Sequence, residues 1–112
     1  MQVPFFMIVT GDRDAYIADY CIKSFSLIKN IDIKLIIYSN YVSTKLKKMY
    51  FPIWIKYPYV QLISNDHHDD EKYVKTDNIN YQEGRFDIPG KIWDKELKKI
   101  DSEFIGIVDA DC

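Results

Sequence analysis

Apolar residues along the chain fall into short continuous runs, separated by polar segments in which the apolar positions have helical spacing. Pro4 to Thr10 is a nearly continuous apolar run, typical of a strand that is covered on both faces of its sheet. In the following segment, apolar residues recur at intervals of three and four, which predicts a helix from about Asp14 to Lys29. Asp12 is a candidate N-cap for that helix. The chain therefore begins with a buried strand followed by an amphipathic helix.

The same alternation continues through the middle of the chain. Ile33 to Tyr38 predicts a second short strand, and Ser43 is a candidate cap for a short helix that we expect Pro52 to end. Tyr59 to Ile63 predicts a third strand, because Pro58 disfavours a central strand that includes it. Two strand–helix units thus precede a third strand.

The last half of the chain completes the pattern after a long polar interval. Residues 64–90 are polar and aperiodic, and we expect a surface excursion there. Lys91 to Ile100 predicts a helix and Phe104 to Val108 a final strand. This order predicts an α/β fold with a mainly parallel sheet, helices on both faces and right-handed crossovers. Ligands bind such sheets outside the carboxyl ends of the strands, which directs attention to the turns after Val9 and Val108.

Composition and charge narrow the class of protein. The 112 residues are 47% hydrophobic and 29% charged, as in a folded domain, and the net charge of -2 gives no general attraction for nucleic acid. The sequence contains no apolar run of membrane-spanning length and no secretory signal, so we expect a cytoplasmic protein with reduced thiols. Cys21 falls within the apolar pattern of a helix, which predicts a buried structural cysteine, although a reactive thiol is the alternative.

The sharpest chemical motif is Asp109-Ala110-Asp111, which directly follows the last predicted strand. In extended backbone, residues two apart point to the same side and lie roughly 6–7 Å apart, so both carboxylates could face one cation. A divalent ion would relieve the repulsion between these two charges in a half-buried crevice. Oxygen ligands favour Mg²⁺ or Mn²⁺ over zinc. The alternative is an ordinary acidic turn after a strand.

Two motifs taken together resemble a known family. A first strand that ends in VTGDRD before a long helix, and an Asp-x-Asp strand that follows a helix with a basic residue at its start, resemble the nucleotide-binding half of a GT-A glycosyltransferase. The resemblance implies a Rossmann-like sheet in which these two strands are neighbours. It also implies a transferase that binds a nucleotide-diphosphate sugar, with UDP-sugar the expected donor, through Mn²⁺ or Mg²⁺ and passes the sugar to an unknown acceptor.

The resemblance implies a role for each matching residue. Asp111 would ligate the metal that bridges the diphosphate, and Asp109 would contact the ribose or the water shell of that metal, so both form the expected metal site. The turn after the first strand would touch the nucleoside, and a basic residue at a helix start would approach the diphosphate, with Arg13 and Arg85 as lesser candidates. The expected nucleotide-sugar-binding residues are Thr10, Gly11, Asp12, Asn40, Lys91, Asp109 and Asp111.

The family places its acceptor site and its catalytic base after the Asp-x-Asp strand, and the sequence stops one residue past that motif. We therefore expect residues 1–112 to form a donor-binding half without the acceptor-binding half, with no identifiable catalytic residue and little or no transfer activity alone. Such a half domain would expose a sheet edge, through which it could self-associate.

Other functions compete with this interpretation. One is a nucleotide-sugar binding or regulatory module without catalysis. Another is a haloacid-dehalogenase-like phosphatase, which also ends a buried strand in Asp-x-Asp, although that motif normally opens the domain. A sugar nucleotidyltransferase would need a glycine-rich phosphate loop, which the sequence lacks. The cluster from His67 to Asp70 has metal-ligand chemistry, but adjacent ligands in a loop seldom chelate one ion, and a solvated loop is favoured.

Overall fold

The computed structural model describes residues 2–65 and 92–111. Within these ranges the chain forms four strands, two longer helices and a short helical segment that follows the third strand. The strands are β1 (Gln2–Thr10), β2 (Asp32–Asn40), β3 (Val60–Asn65) and β4 (Gly106–Asp109). The helices are α1 (Gly11–Ser24), which continues into a 3-10 turn at Phe25–Leu27, α2 (Thr44–Trp54), and helical residues 92–96, which continue into a 3-10 turn at Leu97–Lys99.

The four strands form one parallel sheet in the order β3-β2-β1-β4. This confirms the expected α/β architecture, and the arrangement is that of a Rossmann-like fold. β1 lies inside the sheet, between β2 and β4, as its continuous apolar run predicted. β1 and β4 are neighbours although they lie at opposite ends of the chain, and their contact is the feature on which the candidate site depends.

One face of the sheet is covered by α1 and α2. Met7 of β1 and Leu35 and Ile37 of β2 are fully buried on this face. Small residues of α1, Ala15 and Ala18, are also fully buried, so the helix backbone can approach the strands closely. Burial of large apolar side chains such as these is the main source of stability in a domain of this size.

The opposite face is covered by the segment that precedes β4. Phe6 and Ile36 are buried there against Ile92, with Leu97 and Ile100 partly buried beside them. Helical segments thus cover both faces. The connections that lead from β1 to β2 and β3 run over one face, whereas the connection back to β4 places its helical residues on the other. Crossovers of one common hand require this arrangement when the strand order reverses.

The start of α1 differs from the prediction. The helix begins at Gly11, three residues before Asp14, and Gly11 has a φ of +75°, a conformation that glycine adopts without steric cost. Thr10 occupies the N-cap position, and its backbone N–H donates a hydrogen bond of 3.1 Å to Oδ2 of Asp14. Asp12 is therefore not the cap but lies in the first turn.

The prediction that Pro52 ends α2 was wrong. The helix continues to Trp54, and the backbone bonding resumes directly, since the N–H of Ile55 donates to the carbonyl of Phe51 at 3.0 Å. Trp54 is fully buried, stacks on Tyr50 with ring centroids 5.6 Å apart, and donates from Nε1 to Asp19 at 2.9 Å. These contacts hold the last turn in place, although proline removes one backbone donor.

The strand boundaries shift by one or two residues from the predictions. β3 begins at Val60 and β4 at Gly106, while Phe104, which we expected in the last strand, is 70% exposed. Gly106 pairs with Phe5, and a Cβ at Gly106 would overlap the Phe5 ring. Glycine at this position therefore allows β4 to pair with β1 while the Phe5 ring covers the Cα of Gly106.

Gly106→Ala should lower the free energy of unfolding by about 1–3 kcal/mol, because the added methyl overpacks against Phe5. The Phe5 ring has little room to move, since it packs edge-on against Phe25 at 5.5 Å. Urea denaturation followed by circular dichroism measures the change. Adding Phe5→Leu to the alanine variant should recover part of the loss. An alanine variant as stable as the wild type would contradict the pairing of Gly106 with Phe5.

Cys21 is buried as predicted, at 3% exposure, but it is not a reduced thiol. It is disulfide-bonded, which corrects that part of the prediction. The sequence contains one other cysteine, Cys112, which lies outside the described residues.

Within residues 2–65 and 92–111, no helix combines the length and the apolar character that crossing a bilayer requires.

Candidate functional site at the carboxyl edge of the sheet

The carboxyl ends of β1, β2 and β4 meet at one edge of the sheet. The strand register pairs Ile8 with Asp109, and Thr10 with Asn40. Thr10 therefore lies between the end of β2 on one side and the segment that follows Asp109 on the other. Strand order reverses between β1 and β4, so this edge is the topological switch point where parallel α/β sheets bind ligands.

The turn after β1 is fixed by hydrogen bonds on both sides. Oδ1 of Asp12 accepts a hydrogen bond of 2.7 Å from the backbone N–H of Ser43. Ser43 in turn caps α2, as predicted, because its Oγ accepts from the N–H of Leu46 at 3.3 Å. Asp12 thus joins the β1–α1 turn to the β2–α2 loop. The sequence carries no signal for this bond, since its partners are 31 positions apart and nothing in either motif indicates that they meet.

Asn40 lies at the expected edge but is only 1% exposed. We expected it to contact a base, and its burial leaves little of the side chain for a ligand to touch. The residue before it, Ser39, is fully buried, and its Oγ has no hydrogen-bond partner in the part of the chain that is described. Polar residues at the end of β2 are therefore packed within the protein. The sequence did not predict this burial, because Ser39 and Asn40 follow an apolar run and two polar residues in that position indicate an exposed turn.

Asp109 and Asp111 are both exposed, which corrects the expected half-buried crevice. Residues 110 and 111 also form a turn, so the backbone is not extended across the motif. The physical reason is Ala110, which is 7% exposed and packs into the core beneath α1 and α2. The carbonyl oxygen of Asp109 lies 4.0 Å from Sγ of Cys21 on α1. The inward turn of Ala110 leaves the two flanking carboxylates on the surface.

The donor set suits a cation that completes its coordination with other ligands. No group of three histidine, cysteine or acidic side chains comes together among residues 2–65 and 92–111. Mg²⁺ in proteins is commonly held by one or two carboxylates together with substrate phosphates, and it keeps several waters. Asp109 and Asp111 have the oxygen chemistry that Mg²⁺ prefers, but the turn at residues 110–111 replaces the extended geometry from which a shared cation was expected.

Positive charge is also present at this edge. Arg13 is exposed in the first turn of α1, whose N-terminus points toward the carboxyl ends of the strands. The partial positive charge of a helix N-terminus favours anions, although Asp12 and Asp14 in the same turn already interact with it. Lys91 and Arg85, the other basic candidates, lie outside the described residues, as does the cluster from His67 to Asp70.

A cavity of about 700 Å³ lies elsewhere, on the face of the sheet that carries residues 92–100. It is lined by residues near the amino ends of the strands, such as Pro4 and Lys34, and by Glu96. Glu96 is 6% exposed, and its carboxylate lies 3.3 Å from Nζ of Lys99. Burial raises the pKa of Tyr38, and the negative charge of Glu96 raises it further. None of the expected nucleotide-binding residues lines this cavity.

The candidate site thus brings Thr10, Asp12, Asn40, Asp109 and Asp111 to one edge of the sheet, with Gly11 shaping the turn between them. Comparison with known proteins adds no second line of evidence. The chain matches no family model, no curated protein and no solved structure.

Proposed function

We propose that residues 1–112 form the nucleotide-binding half of a GT-A glycosyltransferase, which binds a nucleotide-diphosphate sugar, most simply a UDP-sugar, with Mn²⁺ or Mg²⁺. One observation carries the proposal. The first strand, with its TGD turn, and the last strand, with its Asp-x-Asp motif, are far apart in sequence but adjacent in a parallel sheet at the point where strand order reverses.

Different residues at this edge would contact the metal, the nucleoside and the diphosphate. Asp111 and Asp109 would hold the metal, and Thr10 with the β1–α1 turn would contact the nucleoside. Arg13, a lesser candidate in the sequence, would approach the diphosphate, and its exposure in the first turn of α1 supports this role. When bound, the divalent cation neutralises charge on the diphosphate and makes it a better leaving group. The hydrogen bond from Ser43 to Asp12 keeps the turn in one conformation before the ligand arrives.

The proposal covers donor binding and assigns no acid or base for sugar transfer. It also makes no commitment on location. The expectation of a cytoplasmic protein rested on the lack of a membrane-spanning run and of a secretory signal. The disulfide at Cys21 counts against the reduced thiols that this expectation included, since structural disulfides are typical of oxidising compartments. Self-association remains part of the proposal. β4 is an edge strand of the described sheet, with Phe104 and Ile107 exposed beside it, and an open edge of this kind favours pairing between copies.

Calorimetric titration of the purified chain with UDP and with GDP, each with Mn²⁺ and then with EDTA, tests donor binding. We expect one nucleotide to bind with Mn²⁺ and the heat of binding to disappear with EDTA, because the exposed carboxylates repel a diphosphate when no cation lies between them. UMP and GMP with Mn²⁺ are the matched controls, since each has the same nucleoside as its diphosphate but no diphosphate. An absence of binding to either diphosphate, under conditions where circular dichroism shows a folded chain, would overturn the proposal.

A further inference from the structure

The outward-facing residues of α1 and of residues 44–58 form a second surface, which we call the outer helix surface. It lies on the side of these helices away from the sheet. Its exposed positions include no aspartate or glutamate, and residues 44–58 contain no acidic residue at all. The acidic residues of α1, Asp12, Asp14 and Asp19, are only partly exposed. This composition contrasts with the chain as a whole, whose net charge is -2.

The basic residues of this surface come from both helices. α1 contributes Lys23, and α2 with the turn after it contributes Lys45, Lys48 and Lys56, all of them exposed. Arg13 is also exposed on α1, but it lies at the candidate nucleotide site and is not counted in this surface. The partly exposed aspartates of α1 offset the positive charge of that helix, whereas residues 44–58 contain no acidic residue. The positive potential of the outer helix surface therefore comes mainly from α2 and the turn after it.

The same surface exposes large apolar side chains between the basic ones. Tyr20 is 79% exposed, Ile55 60%, Tyr16 49%, Met49 45% and Ile53 44%. Single exposed apolar residues are ordinary, but these five share the outward sides of two adjacent helices with the basic residues. Their exposure is a cost in water that a partner with an apolar layer would remove.

The two helices form one continuous surface. The ring of Tyr16 on α1 meets that of Tyr50 on α2 edge-on, with centroids 5.8 Å apart. Trp54 on α2 donates to Asp19 on α1 at 2.9 Å. Both helices pack on the same face of the sheet through their buried residues, so their opposite sides point in a common direction. The basic and apolar groups can therefore meet one flat partner together.

We propose that the outer helix surface docks on an anionic membrane surface. Lysine and arginine would meet the lipid headgroups, and the aliphatic and tyrosine side chains would enter the boundary between headgroups and acyl chains, as in interfacial amphipathic helices. Nucleic acid fits less well, because phosphates and bases offer no apolar layer for Met49, Ile53 and Ile55. The docking lies on the helical layer and does not depend on the nucleotide site.

Co-sedimentation with vesicles tests this proposal. One set contains phosphatidylcholine alone and the other contains phosphatidylcholine with about 30% phosphatidylserine. We expect the full chain to bind the anionic vesicles at least about tenfold more tightly than the neutral ones, and the difference to shrink in 0.5 M salt, because headgroup attraction is screened.

Two pairs of variants locate the contact. Lys45→Glu with Lys48→Glu should lower binding to the anionic vesicles about tenfold or more, whereas Lys95→Glu with Lys98→Glu, on the opposite face, should change it less than twofold. Lys98 is a suitable control because its side chain is 77% exposed.

The apolar contribution needs a separate test. Ile53→Ser with Ile55→Ser should weaken binding several-fold even in 0.5 M salt, whereas Phe104→Ser with Ile107→Ser should not. Circular dichroism is the control for folding, and each variant should give the spectrum of the wild type. Equal binding to both vesicle types, or equal losses from the control pairs, would overturn the proposal. So would binding of a single-stranded oligonucleotide that is lost in the Lys45 and Lys48 variant, if the vesicles bind no protein.

Discussion

Replacing Trp54 with alanine should lower the free energy of unfolding by about 3–5 kcal/mol, a large part of the stability of a domain of this size. Trp54 is fully buried, and its ring lies between α1, α2 and the sheet. Removing it would leave a cavity and would also take away the donor to Asp19. The last turn of α2 would then lose the contacts that hold it beyond Pro52.

Chemical denaturation followed by circular dichroism measures this effect. Trp54→Phe should cost less than the alanine variant, because a ring remains to stack on Tyr50, although the bond to Asp19 is lost. Trp93→Ala is the matched control, since Trp93 is 37% exposed and its loss should cost far less. A Trp54→Ala variant within about 1 kcal/mol of the wild type would mean that α2 does not pack as described.

Asp111→Ala should abolish metal-dependent nucleotide binding and leave the fold intact. The side chain is exposed, so its removal should change the free energy of unfolding by less than about 0.5 kcal/mol. By the resemblance, Asp111 would ligate the cation directly, whereas Asp109 would contact the ribose or the water shell of the cation. Removing Asp111 would therefore take away the direct protein ligand of the cation. The effect on binding and the effect on stability are thus separated in one variant.

The same calorimetric titration, with UDP and Mn²⁺, measures the loss. Asp101→Ala is the matched control, because Asp101 is also exposed but lines the cavity near the amino ends of the strands. It should bind the nucleotide as the wild type does. Binding by Asp111→Ala with unchanged affinity would show that the metal site is elsewhere, even if the wild type binds the nucleotide.

The elements whose prediction succeeded are those with a local physical cause. Continuous apolar runs such as that from Pro4 to Thr10 reflect burial on both faces of a strand, and they predicted the strands to within a few residues. The cap at Ser43 is also local, because donor and acceptor are three residues apart. The meeting of β1 and β4 was reached differently, since it rested on the resemblance and on the rule for switch points.

The predictions that failed depended on contacts between distant residues. Pro52 is tolerated because Trp54 is anchored to another helix, which no helix-ending rule includes. The turn at residues 110–111 follows from the packing of Ala110 in the core, and alanine after an aspartate carries no pattern of its own. The hydrogen bond from Ser43 to Asp12 likewise became visible only in three dimensions. The edge of the sheet at which the candidate site lies was therefore predictable, whereas the directions of its side chains were not.

The pairing of β1 with both β2 and β4 has a consequence for how the protein folds. Phe5 pairs with Leu35 about 30 residues away and with Gly106 about 100 residues away, and closing the longer loop costs roughly 1 kcal/mol more in chain entropy. β1, β2 and β3 can assemble through connections of moderate length, whereas β4 must be recruited across almost the whole chain. During synthesis, the first three strands can associate before residues 106–109 are made. The two aspartates of the motif reach the edge of the sheet only when β4 pairs with β1, so within residues 2–111 the candidate site forms after the rest of the sheet.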